Sequence, residues 1–201
     1  NGIPSFRLEK DVINAEIDVL REMGVEFRCG VEVGEDITIA QLREQGYKAF
    51  YIAIGAQGGR MTGVPGEDAV GVETGVDFLR RVNLNEEGVK LSGKTVVIGG
   101  GNVAVDVART ALRTGSSDVS MFCLESRDIM PAADDEVAEA EEEGIVVNNS
   151  WGPKEILTEN GKVTAVVFKK CISVLDENKR FSPKYDEEEL LTVPCDQVLL
   201  S

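Results

Sequence analysis

The chain has 201 residues, 42% of them hydrophobic and 28% charged, with a net charge of −15 and no histidine. So acidic a balance argues against nucleic acid or an anionic membrane surface as the main partner, because like charges repel over about 8 Å at physiological salt; the lack of histidine excludes His-based triads and His-ligated metals within this chain. No run of about 18 apolar residues is present to span a bilayer, and Cys29, Cys123, Cys171 and Cys195 form no C-x-x-C pair, which argues against a dithiol redox centre or a zinc site.

No secretory signal opens the chain, so a cytoplasmic location is expected. Asn1 is not a start methionine, and the ending "CDQVLLS" stops inside what reads as a buried strand, so the sequence reads as a piece of a longer protein. Ile13, Ile17 and Leu20 recur at helical spacing within 9–23, and Gly24 follows where a left-handed cap residue belongs. "VEFRC", residues 25–29, alternates apolar and polar side chains as a half-buried strand does. A short helix over 39–45 ends at Gly46. "AFYIAIGA", residues 49–56, is apolar on both faces, the pattern of a central parallel strand. The glycine-rich "GGRMTGVPGED" with Pro65 reads as a boundary loop, and a helix over 76–81 follows it.

Strand "TVVIG", residues 95–99, leads into a helix over 102–114 with an apolar stripe of Val103, Val107, Ala108 and Ala111 and an end at Gly115. A second strand, 119–124, delivers Glu125 at its carboxyl end. "PAADDEVAEAEEEG" reads as a helix entered at Pro131 and closed by Gly144, with acids at its positive end and the remaining acids on a solvated face. "IVVNN" is a strand, and Asn160-Gly161 between "EILT" and "KVTAVVFKK" signals a hairpin, so a small antiparallel sheet precedes the closing strand "DQVLL". One order occurs twice: "INAEIDVLREMGVEF" then "KAFYIAIG", and "DDEVAEAEEEGIVV" then "DQVLLS", each giving helix, glycine, strand, insert and buried strand. A glycine fingerprint precedes the second copy. The first would need its own upstream of Asn1, which points to a second nucleotide-binding half.

That fingerprint is Gly99, Gly101 and Ala104, a G-x-G-x-x-A. The first glycine permits a sharp strand-to-helix turn, the second lets backbone approach a pyrophosphate, and the small third residue lets helix and strand pack closely. Unsatisfied N–H groups and the positive end of the following helix attract the anion. Glu125, 21 residues beyond Ala104, stands where an acid would hold a ribose diol. Gly99, Gly100, Gly101, Asn102, Val103, Ala104, Glu125, Ser126 and Arg127 are therefore the candidate dinucleotide contacts, with Gly55 in the first copy as a further cofactor contact. Asn102 is also a candidate helix cap. Asp106 and Arg109, at i and i+3, read as a stabilising pair, and Cys123 as a small core residue.

"GIPSFRLEKDV", "YIAIGA", "GVPGED", "VDFLRRVN", "VVIGGGNVAVDVARTALR" and "SRDIMPAADDEVAEAEEEGI" together resemble the small (beta) subunit of NADPH-dependent glutamate synthase and its flavin oxidoreductase relatives, over nearly the whole chain. The resemblance implies an α/β fold: a Rossmann-like nucleotide-binding domain, with a parallel sheet and a small antiparallel β-meander, joined to part of a second, FAD-type lobe. It implies that 1–58 are the later part of the FAD lobe and 59–201 the NAD(P)H-binding domain. It also implies FAD in the full-length protein and a partner subunit or iron–sulfur acceptor that receives electrons. The repeat, for its part, leads us to expect a second glycine fingerprint before Asn1 and an Ile-Gly type continuation after Ser201, echoing Ile54 and Gly55.

Where relatives carry an Arg-Arg pair after the second strand, this chain has Leu124 and Glu125. A carboxylate accepts hydrogen bonds from a free 2′-hydroxyl and repels a 2′-phosphate. Two unit charges about 4 Å apart cost roughly 4 kcal/mol at intermediate dielectric, enough to reverse cofactor choice. NAD is thus expected over NADP, while Arg127, a cation able to reach a 2′-phosphate, works against that preference. Hydride chemistry of this kind belongs to the cofactors, so no acid–base residue is nominated. An S-adenosylmethionine-dependent methyltransferase and a non-catalytic nucleotide-sensing or docking module are the alternatives.

Overall fold

The computed structural model describes residues 2–85 and 88–201. The chain forms two compact units, Ser5–Gln57 and Gly58–Ser201, the latter together with the first residues up to Pro4.

The smaller unit holds helices α1 (Lys10–Glu22) and α2 (Ile39–Glu44). α2 starts in a capping box, in which the Thr38 hydroxyl accepts from the Gln41 amide and the Gln41 side chain accepts from the Thr38 amide. Neither helix contains a buried residue. The strands expected over 25–29 and 49–56 do not form, and Tyr51, Ile52 and Ile54 are 94%, 77% and 80% exposed. Their sequence pattern fits strands. A strand also needs a neighbour for its amides and carbonyls, however, and a run apolar on both faces needs cover on both; among the described residues neither segment has them.

The larger unit is built on a parallel sheet of β1 (Val72–Thr74), β2 (Lys94–Ile98), β3 (Asp118–Cys123), β4 (Val146–Asn149) and β8 (Gln197–Leu200), in the order β1-β8-β2-β3-β4. Helices α3 (Gly75–Asn83), α4 (Asn102–Arg113) and α5 (Asp134–Glu142) cover one face. The other face carries an antiparallel sheet of β5 (Trp151–Glu159), β6 (Lys162–Leu175) and β7 (Phe181–Pro194). Alternation along each parallel strand feeds two cores. Val97, Met121 and Leu199 pack with Phe78, Val105, Val107 and Val137 of the helices. Val96, Ile98, Phe122, Val198 and Leu200 pack with Ile156, Val166 and Phe168 of the antiparallel sheet. Burial on both faces is why these strands read as continuous apolar runs. The rings of Phe122 and Phe168 stack at 4.1 Å and join the two sheets.

The Asn160-Gly161 hairpin forms between β5 and β6, both residues at positive φ (52° and 76°) as a two-residue hairpin turn requires. From β2 the chain moves through α4 to β3, whereas β8 pairs on β2's other side. The strand order therefore reverses between β2 and β8, and the carboxyl ends of these strands border a crevice of the kind where α/β sheets bind ligands.

Candidate functional site

The crevice begins where β2 ends. The Gly99 amide donates to the Phe122 carbonyl at 2.9 Å, and the Ser201 amide to the Ile98 carbonyl at 2.8 Å, so the strand ends are locked in register. The three glycines answer to different neighbours. A Cβ on Gly99 would overlap the Ser201 carbonyl oxygen and lie 3.2 Å from the Ala104 Cβ. One on Gly100 would stand 2.8 Å from the Cys123 Cβ and 2.9 Å from Glu125 Oε2. One on Gly101 would meet nothing within 4 Å, and the backbone there, at φ −94°, suits any residue. Packing accounts for the first two glycines and leaves the third with no internal reason to be bare.

Gly101 is the N-cap of α4 and no side chain caps this end. The amides of Ala104 and Val105 turn back onto the Gly101 carbonyl, while those of Asn102 and Val103, which precede them, have no intrahelical acceptor. The expected capping role of Asn102 is not what the structure shows. Its side-chain oxygen instead accepts from the Ala133 amide at 2.8 Å, and the Ala132 amide donates to the Gly100 carbonyl at 3.0 Å. These two bonds fix the entrance of α5 against the glycine turn.

Glu125 follows β3 by two residues, and its carboxylate lies beside Gly100. Its carbonyl accepts from the Ser150 amide at 3.0 Å and from Asn149 Nδ2 at 3.2 Å, which pins the backbone while the side chain stays half-buried. Ser126 precedes a single 3-10 turn, Arg127–Ile129, and its carbonyl accepts from the Ile129 amide at 3.2 Å. A hydrogen bond from the Ser126 hydroxyl holds the Asp128 carboxyl below its usual range. Arg127 forms a forked ion pair with Glu141 of α5, at 3.1 and 3.2 Å.

The acids of α5 are thus not simply a solvated face. Arg109 crosses to α5 and binds Glu139 at 2.6 Å and Glu143 at 2.7 Å. Arg113 joins the same Glu143 carboxylate at 2.7 Å. The periodicity of one helix in isolation does not show which charges a second helix will bring.

Beside the glycine turn opens a cavity of about 590 Å³. Gly99, Gly100 and Glu125 form one wall; Trp151, Lys169 and Tyr185 of the antiparallel sheet form another. The Lys169 ammonium sits 4.1 Å from the Tyr185 ring centroid and 2.9 Å from Glu187. Sequence reasoning found none of these three residues. The hairpin signal revealed the sheet, but no local pattern says that the sheet folds over the carboxyl ends of β2 and β3.

The structure therefore gathers 99–104 and 125–127 at one edge of the parallel sheet, while Gly55 belongs to the smaller unit. The arrangement offers amides to an anion, a carboxylate to hydroxyl donors and an aromatic wall to a flat ring. Thiol chemistry is disfavoured: burial, then the Glu125 charge, pushes Cys123 up to about 11, and burial pushes Cys195 up to about 12. Among the described residues no group of acids and cysteines is placed to hold a metal ion, and no helix is long and apolar enough to cross a membrane.

The chain is similar to known proteins over most of its length. It is 37% identical to the NADP(+)-dependent formate dehydrogenase subunit beta of Moorella thermoacetica, over 98% of this chain and 28% of that protein. It is 36% identical to the glutamate synthase [NADPH] small chain of Halomonas elongata, over 100% of this chain and 44% of that protein. Among solved structures, Mycobacterium tuberculosis FprA in complex with NADPH superposes with a TM-score of 0.73 at 25% identity, covering 85% of this chain and 53% of FprA. The chain spans less than half the length of the two relatives it matches here. Residues 34–200 match the pyridine nucleotide-disulphide oxidoreductase family. The chain belongs to that family.

Proposed function

We propose that this chain is the NAD(P)H-binding portion of a flavin-dependent oxidoreductase resembling the glutamate synthase small subunit. Residues 59–201 are the NAD(P)H-binding domain and 1–58 the later part of an FAD-binding lobe, where Gly55 contacts the flavin nucleotide. The observation that carries the reading is the bare, unobstructed Gly101 at the uncapped start of α4, with the Glu125 carboxylate beside Gly100. A side chain at 101 would cost the fold little, so its absence is explained by a ligand that comes close to the backbone.

In this reading the Asn102 and Val103 amides hold the diphosphate, Gly99 and Ala104 keep β2 and α4 close enough to aim them, and Glu125 accepts from the hydroxyls of the adenosine ribose. Ser126 and the turn after it shape the rim. The nicotinamide, when bound, supplies a hydride to the flavin of the full-length protein, from which electrons pass to a partner subunit or an iron–sulfur acceptor. The chain's residues bind and orient; none is assigned a proton. Relatives named as beta or small subunits support a partner subunit. Four free cysteines fit a reducing compartment such as the cytoplasm. No observation favours the methyltransferase or docking alternatives over this reading.

The cofactor is NADH in preference to NADPH. What supports this is Glu125: on the reading that its carboxylate holds the adenosine ribose, it repels a 2′-phosphate and accepts from a free 2′-hydroxyl. Titrating the full-length protein with both cofactors, in the native form and as Glu125→Arg, tests this. The native protein binds NADH at least about tenfold more tightly than NADPH, and the variant reverses the order. Tighter binding of NADPH by the native protein contradicts the preference.

A further inference from the structure

We propose that Glu141 is a specificity-positioning residue: by engaging Arg127 it keeps that guanidinium away from the 2′ position of the bound adenosine ribose. This rests on the reading of Glu125 as the ribose ligand.

Arg127 is an exposed cation two residues beyond Glu125 in the same rim segment, close enough in the chain to serve a phosphate on a ribose held by Glu125. In the structure it is engaged on α5 instead. α5 starts at the crevice, where Ala132 and Ala133 bond to Gly100 and Asn102, and it must run away from the carboxyl edge because β3 and β4, which it connects, are parallel. Glu141 lies seven residues along that helix from Asp134, about 10 Å down its axis at 1.5 Å per residue. Both nitrogens of the Arg127 fork are used on the two Glu141 oxygens, at 3.1 and 3.2 Å. Both side chains are more than two-fifths exposed, so the pair adds little to stability. What it does fix is direction and charge: the Nη1/Nη2 edge of the guanidinium faces Glu141, which offsets its charge, and a 2′-phosphate has to share it with that carboxylate or draw it away. Glu125 then repels a 2′-phosphate while Glu141 withholds the compensating charge.

The test measures NADPH and NADH dissociation constants of the full-length protein with Glu141→Gln, Glu141→Asp, Glu141→Arg and the double variant Glu141→Gln/Arg127→Gln. E141Q tightens NADPH about fivefold with NADH unchanged, the ratio that loss of an exposed ion pair converts to. E141R, which repels Arg127, shifts the ratio at least as far; E141D keeps the native ratio, and the double variant returns to it. The inference is overturned if E141Q and E141R leave the NADPH/NADH ratio unchanged, if both cofactors tighten alike, or if the gain survives in the double variant. A native protein that binds neither cofactor would instead overturn the reading of the site itself, and this inference with it.

Discussion

The three consecutive glycines after β2 are not equivalent, and the difference can be measured. Gly99→Ala forces a Cβ into the Ser201 carbonyl oxygen at the junction of β2, β8 and α4, so it destabilises by about 3 kcal/mol or more. Gly101→Ala meets open space at an ordinary φ and costs at most about 1 kcal/mol through the weaker N-cap. On the proposed reading it nevertheless weakens NADH binding at least about tenfold, because the new methyl would crowd the approach of the diphosphate. Thermal melts and NADH titrations of the two variants separate these effects: one protein that barely folds, another that folds and barely binds. The cysteines provide a second check at this scale. With Cys123, Cys171 and Cys195 buried and pushed up in pKa, a thiol reagent at pH 8 labels the exposed Cys29 first, and the other three react only in denaturant. The fingerprint and Glu125 were legible in the sequence because strand, glycines, helix and acid are local and ordered along the chain. Lys169, Tyr185 and Glu141 were not, because each reaches its position through a distant pairing that leaves no periodic trace.

At the scale of elements, the carboxyl edge is kept in shape by the contact of α4 with α5. Arg109, whose side chain is only 9% exposed, joins the two helices through Glu139 and Glu143. Arg109→Gln leaves Glu143 short of a partner and costs about 1–3 kcal/mol in urea denaturation. The pH dependence follows from Glu143, which Arg113, and then Arg109, hold below the usual carboxylate range. A group with a depressed folded-state pKa stabilises above its unfolded value and loses that contribution as pH falls through the folded one. Stability from this cluster is therefore complete at neutral pH and declines below about pH 4.3. The double variant Arg109→Gln/Arg113→Gln shows a shallower decline of the melting temperature between pH 7 and pH 3 than the native chain. An equal decline in both would place the acid sensitivity elsewhere. β2, α4, β3, α5 and β8 were legible because their apolar spacing is set by burial on one or two faces. β1 and β7 were not: "VET" is too short to show a period, and β7 is an edge strand whose exposed acids mask its alternation.

At the scale of the whole molecule, the buried apolar residues divide unevenly. Every member of the two cores falls between Phe78 and Leu200, whereas the helices of Ser5–Gln57 bury none. Residues 58–201 expressed alone are thus expected to unfold in one cooperative transition by circular dichroism and to bind NADH as the full chain does, while 5–57 alone lack a transition. Residues 49–56 show the limit of local reading at this scale. Their pattern is that of a central strand, but pattern alone cannot supply the neighbouring strands that would make it one.

On the proposed reading, the amides opening α4 receive the diphosphate of a pyridine dinucleotide whose adenosine ribose is held by Glu125. A crystal structure of the full-length protein grown with NADH tests it most directly. Expected are diphosphate oxygens within hydrogen-bonding distance of the Asn102 and Val103 amides, close against Gly101, with a ribose hydroxyl on the Glu125 carboxylate. A dinucleotide bound elsewhere, with these amides in water and Glu125 not in contact with it, would contradict it.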